Sequence, residues 1–184
     1  MSNKISKLEN PIRLLELNPE ETLKSVGFEE GMVLCDIGAG TGIFSVPAAR
    51  ISKNIIYALE LSEEMIEIIE NKKEKFVLSN LETKKVDSDI LPLNDETCDF
   101  ALLVTVFHEI NQKEKMLKEI HRILKYNGKF IMIEFHKKET SMGPPMEYRI
   151  SSEFVKEICE SNGFKELETK SMGENLYLGR FVKM

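Results

Sequence analysis

Val33-Leu34-Cys35-Asp36-Ile37-Gly38-Ala39-Gly40-Thr41-Gly42-Ile43-Phe44 is the stretch around which the rest of the chain is organised. Val33, Leu34 and Ile37 form a short apolar run of the kind found in a parallel strand covered on both faces, and three glycines at every second position then stop it. Glycine permits positive φ and leaves no Cβ in the way, so a G-x-G-x-G turn brings backbone N–H and C=O groups up to a ligand. The spacing predicts a helix over 43–51, whose N-terminus aims free N–H groups and a partial positive charge at the same spot. The plain alternative is a tight strand-to-helix connection with no ligand.

Glu60 weighs against that alternative. It closes the next apolar run, Ile55-Ile56-Tyr57-Ala58-Leu59, and a carboxylate at the end of the second strand of a βαβ unit is where a ribose diol is held. The dinucleotide pattern is G-x-G-x-x-G, however, and here the third glycine comes one residue early, with Ile43 where that motif wants glycine. With Asp36 two residues ahead of the first glycine, the stretch resembles motif I of the class I S-adenosylmethionine-dependent methyltransferases.

Composition bounds the reading. At 184 residues, 42% hydrophobic and 30% charged, the chain is one ordinary soluble domain with a substantial core. A net charge of −6, with no dense Lys/Arg cluster, argues against nucleic acid and for a small or neutral substrate. Cys35, Cys98 and Cys159 lie far apart without a C-x-x-C pair, and the N-terminus is polar; together these point to reduced core cysteines and a cytoplasmic location. The apolar run over 100–107 is too short to span a bilayer, so no membrane partner is expected.

Along the chain, strand and helix alternate. Asn10-Pro11 and Asn18-Pro19 each read as a cap followed by proline at the first helical position, giving two short N-terminal helices. Ser62 caps a helix carrying Met65, Ile66, Ile68 and Ile69 on its inner side. A weak strand over 84–86 ends at Asp87, and a strong one spans 98–106. Met116, Leu117, Ile120, Ile123 and Leu124 share a helical face, and Asn127-Gly128 ends that helix before a strand over 129–136. After a turn-rich segment, Ser141-Met142-Gly143-Pro144-Pro145, a helix capped at Ser151 or Ser152 runs to Asn162-Gly163. The segments 164–170 and 176–183 then pair as an antiparallel hairpin around Gly173. Five parallel strands finished by such a hairpin again look like the class I methyltransferase fold.

The resemblance covers 11–184 and has further motifs in order. Asp87-Ser88-Asp89-Ile90-Leu91-Pro92 and the following residues to Asp99-Phe100 are similar to the D-x-x-x-L-P-x-x-x-x-x-F-D stretch of the small branch related to ubiquinone- and menaquinone-biosynthesis methyltransferases, with Cys98 where that branch has an aromatic. Arg122-Ile123-Leu124-Lys125-Tyr126-Asn127-Gly128 resembles its R-x-L-K-P-G-G segment, with Tyr126-Asn127 replacing Pro-Gly. The resemblance implies an α/β, Rossmann-like, doubly wound and mostly parallel seven-stranded sheet with a C-terminal antiparallel hairpin and helices on both faces. In it, residues 1–30 are a helical cap of the same domain and 31–184 the methyltransferase domain. S-adenosylmethionine is then the cofactor and S-adenosylhomocysteine the product. Gly38, Ala39, Gly40 and Gly42 hold the methionine end with Asp36 nearby, Glu60 takes the ribose, Leu61 covers the adenine, and Asp87 and Ser88 bind its edge. Thr105 also lines the site.

Methyl transfer is a displacement at an already activated carbon, so positioning supplies most of the rate, and a base adds a factor of roughly 10² to 10⁴ where the acceptor must lose a proton. His108, just after the fourth strand, is the candidate base, with a helix-capping or cofactor-lining histidine as the alternative. The segment 142–150 is expected to form an acceptor-side lid, with Tyr148 and Arg149 facing the methyl group unless Arg149 pairs with Glu147 or Glu153 on the surface. Arg13 is a further acceptor candidate. Glu134 and His136 share one strand face, but two ligands make a thin site and no metal is expected. The acceptor is a small molecule and the protein a monomer or homodimer. Rival readings are an NAD(P)-dependent oxidoreductase, disfavoured by the glycine spacing and by the lack of a Tyr-x-x-x-Lys pair, and a non-catalytic nucleotide-binding module.

Overall fold

The apolar run before the glycine turn forms strand β1, Leu34–Ile37, with all four residues buried. The computed structural model describes residues 3–86 and 90–184, and the chain divides into two units, Met1–Asp87 and Ser88–Met184. In the first unit β1 pairs in parallel with β2, Ile56–Glu60, from Leu34 opposite Ile56 to Ile37 opposite Leu59. β2 pairs in parallel with β3, Leu81–Lys85, ending with Glu60 opposite Lys85. β3 starts three residues before the sequence-based expectation because, after the buried Leu81, its side chains are polar and half-buried or exposed, so apolar content marks it poorly.

Three helices, not two, precede β1: α1 (Asn3–Leu8), α2 (Pro11–Leu17) and α3 (Pro19–Ser25). The Asn10 side chain caps α2 as its sequence suggests, accepting from Ile12 N at 2.9 Å and Arg13 N at 3.3 Å. Asn18 instead turns left-handed at φ 35° to end α2 and makes no side-chain cap to α3, so a single residue joins the two helices. Helix α4 is Ser45–Ile51, two residues later than expected because the chain is still turning at Gly42, φ 80°. α5, Glu63–Phe76, buries Met65 and Ile69.

The second unit orders its strands β4-β5-β7-β6. β4 (Cys98–Val104) lies parallel to β5 (Leu124–Phe135), which pairs antiparallel with β7 (Leu176–Lys183), itself paired antiparallel with β6 (Phe164–Met172). Phe130 joins these layers, its ring centroid 5.4 Å from that of Phe164 and 6.1 Å from that of Phe181; each such buried ring contributes roughly 1.5–3 kcal/mol of burial. The seven strands are the mostly parallel sheet with a C-terminal antiparallel hairpin that the sequence suggests.

One boundary is corrected. Helix α6, Lys113–Ile123, stops before Leu124 rather than at Asn127-Gly128. Its last carbonyls need no glycine cap, because Glu96 N donates to Arg122 O at 2.9 Å and Thr97 N to Ile123 O at 2.8 Å. Residues 125–128 become a wide bulge in β5, with Cys98 opposite Leu124 but Phe100 opposite Lys129. Asn127 does take the left-handed conformation there, at φ 60°. Helix α7, Ser152–Glu160, is capped by Ser151, whose Oγ accepts from Phe154 N.

Candidate functional site

The glycine turn in the first unit is locked by its own hydrogen bonds. Gly38 N and Ala39 N both donate to Leu59 O, at 2.8 and 3.0 Å, and Gly42 N donates to Ala39 O at 2.9 Å. Glu60, 8% exposed, accepts from Gly40 N through Oε2 at 2.8 Å and from Leu61 N and Ser62 N through Oε1 at 2.9 and 3.0 Å. Ser62 makes no side-chain cap to α5, and the Glu60 carboxylate holds the two N–H groups just ahead of that helix. With those donors used internally, the turn offers a ligand space more than N–H groups.

The glycines differ in why they are glycine. Gly38, Gly40 and Gly42 all have positive φ, at 72°, 56° and 80°. A Cβ on Gly42 would stand 3.2 Å from Ile69 Cγ1 and 3.5 Å from Val46 Cγ2, so that position serves the packing of the turn on its helices. A Cβ on Gly40 would meet only the far end of Leu8, at 3.4 Å. Lys72 ties the N-terminal segment to the turn, donating to Glu9 at 2.7 Å and to Thr41 O at 2.9 Å, and holds the Glu9 carboxyl below its usual range. Arg13 is buried and gives one Nη1 bond to Leu8 O at 2.7 Å; burial lowers its guanidinium to about 10.

Asp36 is buried at the end of β1, where Ser45 Oγ donates to its Oδ2 at 2.5 Å. Burial, with the nearby charge of Glu60, pushes its carboxyl up from 3.8 to about 7 against the opposing Ser45 bond. The native state therefore holds a proton between pH 3.8 and about 7 that the unfolded chain has released, so stability falls as pH rises through that window. About three pH decades at ~1.4 kcal/mol each bound the effect at ~4 kcal/mol. We expect Asp36→Asn to flatten the decline in urea-melt stability between pH 4 and 7; a slope equal to that of the unsubstituted protein contradicts this assignment.

Leu61 is an exposed apolar side chain next to Glu60. Asp87 and Ser88, assigned to the adenine edge, lie outside the described residues.

In the second unit β4 ends two residues earlier than expected, because Thr105 turns left-handed at φ 54°, an outlier for a β-branched residue, while its N–H still donates to Ile133 O at 2.7 Å. A 3-10 turn, Phe107–Glu109, follows and carries His108. The His108 side chain is 8% exposed, and its Nδ1 lies 2.8 Å from Oε2 of Glu134, which is 1% exposed. Burial opposes charge on this ring, but the bond to Glu134 and the charges of Glu134 and Glu109 hold its pKa above the usual histidine value.

Alternation along the strand pairs Glu134 with His136, yet a carboxylate within Phe130-Ile131-Met132-Ile133-Glu134-Phe135 is costly to bury without a partner, and that partner is His108. His136 Nε2 instead meets Ser171 Oγ at 2.8 Å. Among the described residues no group of three metal-ligating side chains forms.

Tyr148 is exposed on the 3-10 turn Met146–Tyr148. The expectation for Arg149 needs correction. It is buried, and its guanidinium donates to Pro144 O, His136 O, Lys138 O, Thr140 Oγ1 and Met142 O. The loop folds around the cation, which these five oxygens hold in place of Glu147 or Glu153.

Residues 35–132 match the family described as "Methyltransferase domain". The chain is 27% identical over 119 residues to the ubiquinone/menaquinone biosynthesis C-methyltransferase UbiE of Haemophilus ducreyi, a match covering 63% of this chain and 46% of that protein. It spans about half the length of the curated relatives it matches first. A crystal structure of a SAM dependent methyltransferase from Aquifex aeolicus superposes with a TM-score of 0.91 at 31% identity, over 98% of this chain and 97% of that one. The [4+2]-cyclase SpnF superposes with a TM-score of 0.78 at 19% identity, over 89% and 81%, a likeness of fold alone.

Proposed function

The chain belongs to the S-adenosylmethionine-dependent methyltransferases, and from that premise we propose that it transfers a methyl group to a small-molecule acceptor. The observation that carries the proposal is the buried Glu60 carboxylate against Gly40 N at the end of β2. A fixed carboxylate there suits the two hydroxyls of a ribose and the positive charge of a sulfonium, and the missing Cβ at Gly40, beside the flexible end of Leu8, leaves room for a methionine chain. The residues present fit S-adenosylmethionine. When bound, it supplies a methyl carbon activated by sulfur, which leaves with the bonding electrons as S-adenosylhomocysteine. Gly38, Ala39, Gly40 and Gly42 cradle, Asp36 and Ser45 brace the turn, Glu60 orients and Leu61 covers the adenine, while the cofactor roles of Asp87, Ser88 and Thr105 rest on the sequence resemblance alone.

His108 is the base of this reading: its Nε2 takes the proton that the acceptor atom loses on methylation. Arg13 and Tyr148 are the acceptor-side candidates. The curated relatives named for quinone biosynthesis make a reduced quinone precursor the first acceptor to try. Net charge −6 disfavours a nucleic-acid partner. Three buried free cysteines suit a reducing, cytoplasmic setting, and no described helix is long and apolar enough to cross a membrane. We read residues 1–30 as a helical cap of the same domain, in a monomer or homodimer.

A second reading, that the chain uses this fold without transferring methyl, draws on the cyclase of like fold. Calorimetry and methyl-release assays separate the two. S-adenosylhomocysteine is expected to bind in the micromolar range or better, and Glu60→Ala to weaken it by about 1–3 kcal/mol as the diol and turn bonds go. Tritiated methyl transfer to 1,4-naphthohydroquinone, catechol, an amine or a thiol supports the proposal. Tight binding with no transfer to any of the four favours the second reading, and affinity unchanged by Glu60→Ala removes the cofactor assignment.

A further inference from the structure

Glu134 sits where a strand should hold an apolar side chain. It is the penultimate residue of β5, between Ile133 and Phe135 and 1% exposed. Two backbone N–H donors and one imidazole nitrogen converge on it: His108 N reaches Oε1 at 3.2 Å, Phe135 N reaches Oε2 at 3.3 Å, and His108 Nδ1 lies 2.8 Å from Oε2. A carboxylate that already accepts from two backbone N–H groups offers the ring only acceptor oxygens, which assigns the contacting imidazole nitrogen as Nδ1–H. The neutral ring then carries its lone pair on Nε2. A carboxylate–histidine pair of this form fixes both tautomer and ring orientation.

We propose that Glu134 is a positioning residue for methyl transfer, holding His108 as the Nδ1–H tautomer so that Nε2 is the proton acceptor. The inference rests on the reading of His108 as base. Both backbone and side chain of His108 are bound to one carboxylate, so the ring is fixed relative to the end of β5, and it packs edge-on to Phe135 with centroids 6.3 Å apart. Charged groups around it come from three elements. Glu134 faces Nδ1 from β5; Glu109, on the same 3-10 turn, stands 3.8 Å from Nε2; and Lys113 at the start of α6 opposes ring charge. Tyr177 on β7 meets the field of Glu134, and burial keeps its hydroxyl protonated. Glu134 has the short direct bond to the ring and thereby sets its state.

The test needs no methyl acceptor. Ring 15N and Cε1–H resonances of His108 are followed by NMR from pH 5 to 9, in the free protein and with S-adenosylhomocysteine added. Glu134→Gln keeps an amide oxygen to accept from Nδ1–H but removes the charge, so we expect the midpoint to move to lower pH with the same tautomer. Glu134→Leu removes the acceptor, and the 15N shifts are expected to report a mixture of tautomers. Folding of each variant is checked by its near-ultraviolet circular dichroism. A His108 midpoint unmoved in Glu134→Gln, or a single unchanged tautomer in Glu134→Leu, overturns the inference and leaves the cofactor reading intact. Loss of S-adenosylhomocysteine binding by the unsubstituted protein would strike the proposed function instead.

Discussion

Gly40→Val is expected to lower S-adenosylhomocysteine affinity more than 100-fold while leaving the protein folded. The fold has little to lose there: the added Cβ meets nothing closer than Leu8 Cδ1 at 3.4 Å, the end of a flexible side chain. The remaining cost is holding a branched residue at φ 56°, of the order of 1–2 kcal/mol. For a ligand the same change is severe, since the isopropyl group takes the space between the turn and the end of Leu8 and disturbs the bond from Gly40 N to Glu60. A 100-fold loss corresponds to about 2.7 kcal/mol. Gly42→Val is the contrasting control. Its Cβ would press on Ile69 and Val46 at 3.2 and 3.5 Å, so the expected loss is in melting temperature. Calorimetry on both variants decides: Gly40→Val binding within threefold of the unsubstituted protein means that the turn does not hold the cofactor.

How much of this was legible in the sequence depends on the range of the forces involved. The glycine turn and Glu60 could be read because each depends on residue type: positive φ at three alternating positions, and a carboxylate closing an apolar strand. Segments whose boundaries depend on distant partners could not. α6 ends at Ile123 because Glu96 and Thr97, nearly thirty residues earlier, cap its carbonyls, and no local signal at 124–128 reports this. β3 is polar after Leu81 and owes its identity to pairing with β2. The His108–Glu134 pair spans 26 residues, and period-two alternation on β5 pointed to His136, the nearer histidine on the same face. Arg149 was misjudged for a related reason. Beside Tyr148 in a Gly-Pro-Pro loop it reads as an acceptor-facing cation, and only the path of residues 136–149 shows the oxygens that surround it.

That path leads to the largest stability effect expected. In Arg149→Ala five acceptors lose their donor at once: Pro144 O at 2.7 Å, His136 O at 3.1 Å, Lys138 O at 2.8 Å, Thr140 Oγ1 at 2.6 Å and Met142 O at 3.1 Å. The guanidinium also lies over Phe135, 5.9 Å from the ring centroid, against which Gly143 packs so closely that a Cβ would come within 2.7 Å of Cδ1. Some carbonyls regain water when the loop opens, which holds the net cost to about 2–4 kcal/mol, or roughly 4–16 °C in melting temperature for a chain of this length. Arg149→Lys recovers little, because one ammonium cannot reproduce the planar fork that reaches acceptors on several sides. Limited proteolysis provides the local readout, with new cleavage after Lys137 and Lys138 appearing well below the melting temperature. Were Arg149→Ala to melt with the unsubstituted protein and lose only methyl transfer, the side chain would be acting on the acceptor, as its sequence neighbourhood first suggests, and not holding the loop.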